Sequence, residues 1–138
     1  MTGVFVDTSG WANVFIHSDA HHRMASTLLN GYRRERRKIF TTNYVLAELS
    51  AVLLSPFRVP NDFRDGILQE IKAAGWVTIV QVEDLLDQDS WEYLFSRRDK
   101  NYSLVDCSSF VLMEKLGLSL ALTTDHHFEQ AGFIRLLK

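Results

Sequence analysis

A single cysteine, Cys107, stands among the 138 residues. No intrachain disulfide can form, which excludes the stapled scaffolds of small secreted domains and agrees with a reducing compartment. Proline and glycine are also scarce, at two and seven residues, about half the usual share. Few positions are set aside for special turns, and long regular elements are favoured. Charge of one sign is missing as well: 15 Lys and Arg against 17 Asp and Glu leave a net charge of −2. Whole-molecule charge therefore gives no sign of nucleic acid binding, which would have to be local or carried by something the chain recruits. No run approaches the roughly 20 apolar residues of a membrane span, and the start, MTGVFVDTSG, lacks the basic and apolar segments of a signal peptide. A cytoplasmic protein without membrane contact is expected.

What is present is an ordinary globular composition, 46% hydrophobic and 23% charged, with no repeat, low-complexity tract or linker. One domain over residues 1–138 is the simplest organisation. Gly3-Val4-Phe5-Val6 reads as a strand buried on both faces and ending at Asp7. A helix from Ser9 to His17 follows, then one from Ala20 with Met24, Leu28 and Tyr32 as its apolar stripe, fraying into Arg33 to Lys38. Ile39 to Thr41 is a second strand. Thr42 or Asn43 caps an apolar helix from Tyr44 to Leu54, stopped before Pro56.

Pro60 opens a helix with Phe63, Ile67 and Ile71 on one face and Gly75 at its end. Trp76 to Val82 is a third strand, and Glu83 to Arg98 a helix whose apolar side is Trp91, Leu94 and Phe95. Ser103 to Leu116 is helical with Gly117 as its cap, Leu118 to Thr123 is a fourth strand, and a short helix from His126 to Gln130 precedes a last strand from Phe133 to Leu137. Alternation of strands with long helices predicts an α/β sandwich of three layers around a mainly parallel five-stranded sheet. In such sheets functional groups gather beyond the carboxyl ends of the strands.

Asp7 directly follows the first strand and Asp125 the fourth, so parallel strands bring both to one edge. Glu48 lies on a helical stripe with Val45 and Val52, an expensive place for a carboxylate. Asp106 opens the helix before the fourth strand, three residues after Ser103. Plainer readings stand beside these. Asp7 and Asp125 each suit a helix cap, Ser103 and Asp106 match a capping box, and Glu48 suits a buried ion pair. Caps do not account for convergence: carboxylates at 4 Å repel by about 4 kcal/mol per pair at an effective dielectric near 20. Protonation or a hard divalent cation must relieve that repulsion, and with soft ligands missing the cation is preferred, Mg²⁺ or Mn²⁺.

Val6-Asp7-Thr8-Ser9, Thr41-Thr42-Asn43-Tyr44-Val45-Leu46-Ala47-Glu48-Leu49, Ser103-Leu104-Val105-Asp106 and Leu122-Thr123-Thr124-Asp125-His126-His127-Phe128 occur in the order and spacing of PIN-domain proteins. The chain resembles the VapC-type toxins among them over essentially its whole length. The resemblance implies a sheet of order 3-2-1-4-5. It makes Asp7, Glu48, Asp106 and Asp125 the catalytic, metal-binding acids, with Thr8, Ser9 and Thr124 as supporting polar groups. It implies metal-dependent endoribonuclease activity with water as nucleophile, a cognate antitoxin, and often a homodimer. A PIN-like module that binds RNA or protein without turnover is the alternative. Cys107 departs from the small residue that usually follows the third acid.

Arg33, Arg34, Arg36, Arg37 and Lys38, and likewise Arg97, Arg98 and Lys100, read first as solvated helix ends favoured by the dipole, with phosphate contacts as the second reading. His17, His21 and His22 lack cysteine partners for a zinc set, and His126 and His127 read as surface or capping residues with a possible reach to substrate phosphate. Trp11, Phe15 and Trp91 read as core or partner-facing rather than base-stacking, and Cys107 as a small apolar filler. A dehalogenase-type phosphatase needs a second Asp two positions after the first, where Ser9 stands, and a receiver domain needs an acidic pair where Thr2 and Gly3 stand.

Overall fold

The computed structural model describes residues 2–138. Five strands, β1 (Val4–Val6), β2 (Ile39–Thr42), β3 (Val77–Val80), β4 (Leu120–Leu122) and β5 (Ile134–Arg135), form one sheet of order β3-β2-β1-β4-β5 in which every pairing is parallel. Seven helices connect them among the described residues: α1 (Thr8–Phe15) and α2 (His22–Arg34) between β1 and β2, α3 (Asn43–Leu54) and α4 (Asn61–Ala73) between β2 and β3, α5 (Asp84–Ser96) and α6 (Leu104–Leu116) between β3 and β4, and α7 (His127–Gln130) before β5. Class, strand order and element sequence are those expected.

β1 occupies the centre, paired to β2 from Val4 opposite Ile39 and to β4 from Val4 opposite Leu120. Val4, Phe5 and Val6 have no exposed surface, the signature of a strand covered on both faces by helices. Strand order reverses direction of growth between β1 and β4, so the crevice beyond their carboxyl ends is the switch point where open α/β sheets bind ligands. Trp11, fully buried, donates from Nε1 to Thr41 Oγ1 at 3.1 Å, and that hydroxyl donates to the Val6 carbonyl at 2.9 Å. One buried indole thus ties α1 to the ends of β1 and β2.

Three helical faces differ from the expected ones. On α2 the buried positions are Ala25 and Leu29, one residue round from the Met24 stripe, because the short Ala25 lets the helix approach; Met24 is exposed. Ile67 and Ile71 of α4 are buried, but Phe63 in its first turn lies beyond the sheet and is exposed. On α5 only Ser90 is fully buried and Leu94 half-buried, while Trp91 and Phe95 stack on each other outside, centroids 5.7 Å apart. The edge strands β3 and β5, and β4 beside the centre, are also shorter than the apolar runs that encode them. Two caps follow the sequence: Thr42 Oγ1 accepts from the Val45 amide at 3.0 Å, and Gly117 closes α6 at φ 67°; α4, by contrast, ends at Ala73 with Ala74 rather than Gly75 as its cap.

α1 lies so close to β4 that a Cβ on Gly10 would stand 2.0 Å from the Leu122 carbonyl oxygen. Gly10→Ala is expected to cost more than about 2 kcal/mol, since the clashing atom is backbone and cannot turn aside; urea denaturation measures this, and an unchanged midpoint would refute the contact.

Candidate active site

Asp7 is the first residue past β1. Its backbone is extended (φ −88°, ψ 174°) and its carbonyl accepts from the Trp11 amide at 3.0 Å, so it holds the N-cap position of α1, yet its side chain makes no capping bond. The carboxylate turns instead toward β4: Oδ2 accepts from Thr123 Oγ1 at 3.0 Å, while Oδ1 is buried with no hydrogen-bond partner. The reading of Asp7 as only a cap is thereby removed.

Glu48 sits halfway along α3 and accepts at Oε1 from Thr8 Oγ1 at 2.5 Å. Asp106, third residue of α6, forms the expected capping box: its amide donates to Ser103 Oγ at 3.0 Å and its Oδ2 accepts from the Ser103 amide at 3.1 Å. Asp125 does cap α7, accepting at Oδ1 from the His127 amide at 2.9 Å. Cap and cavity wall are compatible roles, because a carboxylate has lone pairs for both.

All four acids line one cavity of about 740 Å³, whose lining also includes the apolar Val52 and Phe57. They do not collapse into a single tight cluster. Among the described residues, the group whose donor atoms lie within 4.8 Å of one another is Asp125, His126 and His127. Burial pushes the Asp7 carboxyl up to about 7, and Asp106 and Glu48 add to the rise; the nearby Thr8 amide, not aligned to donate, and the Thr123 hydroxyl offset part of it. Asp106 is raised by burial and then by Asp125 and Glu48, against the Ser103 amide and His127.

The supporting hydroxyls are partly those expected. Thr8 holds Glu48, and Ser9 Oγ lies 3.0 Å from Thr123 Oγ1 while accepting from the Thr124 amide at 2.9 Å. Thr124 lines the cavity, and its carbonyl accepts from Arg135 Nη1 at 3.0 Å; the fully buried Thr123 hydroxyl, bonded to Asp7, also accepts from the Asp125 amide at 3.0 Å. Sequence reasoning missed Thr123 because it ends a buried strand. It also placed His127 at the surface or in a capping role, whereas the ring is mostly buried, with Nδ1 3.4 Å from Asp106 Oδ2 and 3.2 Å from Asp125 Oδ1.

The basic run Arg33, Arg34, Arg36, Arg37 and Lys38 does not reach the cavity. It joins α2 to the start of β2, at the amino edge of the sheet, while the acids lie at the carboxyl edge. Arg33 covers the Trp76 ring at 4.1 Å, and Arg37 is held by Glu35 at 2.8 Å and by Thr2. These cations finish a helix end away from the cavity. The second run is better placed: Arg97, Arg98 and Lys100 precede Asn101 and Ser103, which line the cavity. The Cys107 thiol is pushed up to about 11, first by burial and then by Asp106, so it is no nucleophile.

An unpartnered buried carboxylate oxygen among oxygen donors is what a hard divalent cation would satisfy, and the residues present fit one. In its absence Asp7 favours the protonated form. A carboxyl raised on folding binds its proton more tightly in the native state, so its contribution is fully present below about 4 and is lost as pH climbs through about 7. Chelator-treated protein should therefore melt several degrees lower at pH 8 than at pH 5.5, and Asp7→Asn should flatten that fall; an identical profile in both would refute the burial argument.

A family model described as PIN domain matches residues 4–134. Over 138 aligned residues the chain is 33% identical to the 23S rRNA-specific endonuclease VapC20 of Mycobacterium tuberculosis (strain CDC 1551 / Oshkosh), covering 96% of this chain and 97% of that one. The crystal structure of M. tuberculosis VapC20, a Sarcin-Ricin loop cleaving toxin, matches with a TM-score of 0.84 and 28% identity over 99% of this chain and 100% of that one. PAE2754 from Pyrobaculum aerophilum (TM-score 0.65, 17% identity, 98% and 84% covered) and FitAcB from Neisseria gonorrhoeae (0.64, 12%, 98% and 96%) share the fold. Strand order, the acids at the carboxyl ends of β1 and β4, and a relative alike from end to end agree: the chain belongs to the PIN-domain family.

Proposed function

We propose that this PIN-domain chain is a metal-dependent endoribonuclease of the VapC toxin type, with Asp7, Glu48, Asp106 and Asp125 as its metal-binding, catalytic acids. The observation that carries this is the buried Asp7 Oδ1, left without a partner in a cavity that three further carboxylates line. Family membership and the likeness to an endonuclease support the reaction class. The relative's named substrate makes 23S rRNA the first RNA to offer.

A bound Mg²⁺ or Mn²⁺ supplies Lewis acidity at the scissile phosphate and a water of lowered pKa. The chain's own contribution is to hold the acids in place before substrate arrives. Thr8 fixes Glu48, and Thr123 braces Asp7 from β4 while Ser9 braces Thr123 from α1. Asp106 is locked at its helix start by Ser103. Arg98 and Lys100, exposed on the loop leading to the cavity wall, attract the flanking phosphates that bare carboxylates would repel. Attack by water rather than a ribose 2′-hydroxyl leaves a 5′-phosphate and a 3′-hydroxyl.

No helix among the described residues is long and apolar enough to cross a membrane, in keeping with action in the cytoplasm. An antitoxin and a second copy of the chain are the proposed protein partners, for which exposed Leu54, Phe57, Phe63, Trp91 and Phe95 supply apolar surface. Cleavage of a quenched RNA is expected with Mg²⁺ or Mn²⁺ and none with chelator. Asp7→Asn, Glu48→Gln, Asp106→Asn and Asp125→Asn should each lower the rate by about 10²-fold or more while far-UV circular dichroism stays unchanged; parental cleavage by Asp7→Asn would overturn the assignment, as would products ending in cyclic phosphate.

A further inference from the structure

His127 opens α7 with its ring set against the two acids on the α6 and β4 side of the cavity. Its Nδ1 lies 3.2 Å from Asp125 Oδ1 and 3.4 Å from Asp106 Oδ2, and Tyr102 meets the ring edge-on with centroids 5.4 Å apart. At such distances an imidazole N–H ordinarily donates. Here Nδ1 is a buried nitrogen that meets neither carboxylate in a formed hydrogen bond, although it stands within ion-pair distance of both. The Asp125 oxygen it approaches also accepts from the His127 amide at 2.9 Å.

A hydrogen bond places the hydrogen on the line from nitrogen to oxygen, whereas two ligands of one ion each point to a third position off that line. Adjacent donors about 2.1 Å from an octahedral ion stand roughly 3.0 Å apart, close to the separations of Nδ1 from both carboxylates. A second buried acceptor without a partner, Asp7 Oδ1, belongs to the same cavity. His126 completes the group of three close donors with Asp125 and His127, but it is exposed and its Nδ1 is farther from Asp125 Oδ1, at 3.8 Å.

We infer that Nδ1 of His127 is a nitrogen ligand of the divalent-metal site, joining Asp106 and Asp125 in a mixed nitrogen and oxygen donor set. The inference rests on the metal-dependent reading above and deepens it by naming the ion class. Mg²⁺ prefers an all-oxygen shell, and an imidazole nitrogen shifts the preference toward transition-metal ions such as Mn²⁺. Tyr102 fixes the ring, and the Asp125 cap on α7 fixes the backbone that carries it, so the nitrogen is delivered without reordering the loop.

Pulsed electron paramagnetic resonance of Mn²⁺ bound to the full chain tests this directly. Wild-type protein should show ¹⁴N coupling to the bound ion, replaced by ¹⁵N coupling when only the histidines carry ¹⁵N. His127→Gln should lose the coupling and weaken Mn²⁺ binding by about tenfold or more, with Mg²⁺ affinity changed less, whereas His126→Gln keeps the signal. The labelled wild-type experiment does not depend on any variant folding. Bound Mn²⁺ without nitrogen coupling, or coupling that survives His127→Gln, overturns the inference and leaves the carboxylate site standing. No saturable Mn²⁺ binding at all overturns both.

Discussion

The approach of α1 to the carboxyl end of β4 governs this molecule. Only a glycine fits where Gly10 passes the Leu122 carbonyl, and that proximity draws Asp7, Ser9, Thr123 and Thr124 into one hydrogen-bonded unit. The same proximity strips water from Asp7. A carboxylate that has given up hydration and gained a single hydrogen bond is stable only as the acid or beside a cation. Fold and chemistry thus share one cause: the parallel pairing of β1 with β4 sets both the packing and the charge problem.

The remaining acids enlarge that problem in a graded way. Asp106 and Glu48 act on Asp7 through space, and Asp125 acts on Asp106. Each is held by a local device: a capping box, a threonine from the next helix, a helix cap. Such bracing keeps four like charges around a cavity without letting them meet, which is why the donor atoms lie apart in one pocket instead of forming a closed knot.

Asp7 and Asp125 were legible in the sequence because each ends an apolar strand run, and Glu48 because it interrupts an apolar helix. Strand order came with the family resemblance rather than from periodicity. His127 was not legible as a site residue, since half of its surroundings come from Asp106 on α6, a neighbour that no local pattern announces. Thr123 was hidden because it follows a buried strand directly and is itself fully buried. Periodicity fixed helices but not their faces: Ala25 rather than Met24 turns inward, and Trp91 and Phe95 turn outward, because the face is decided by how closely a neighbouring element can come. The basic run at Arg33 to Lys38 shows a related limit: chain position gave its charge but not the edge of the sheet on which it lies.

The chemistry of the cavity depends on a cation satisfying the buried oxygen of Asp7. Anomalous diffraction from crystals of the protein grown with Mn²⁺ would locate the ion. The expected result is an anomalous peak within coordination distance of Asp7 Oδ1, on the cavity side of Asp106. An ion found elsewhere, or Asp7 Oδ1 still unpartnered at saturating Mn²⁺, would contradict it.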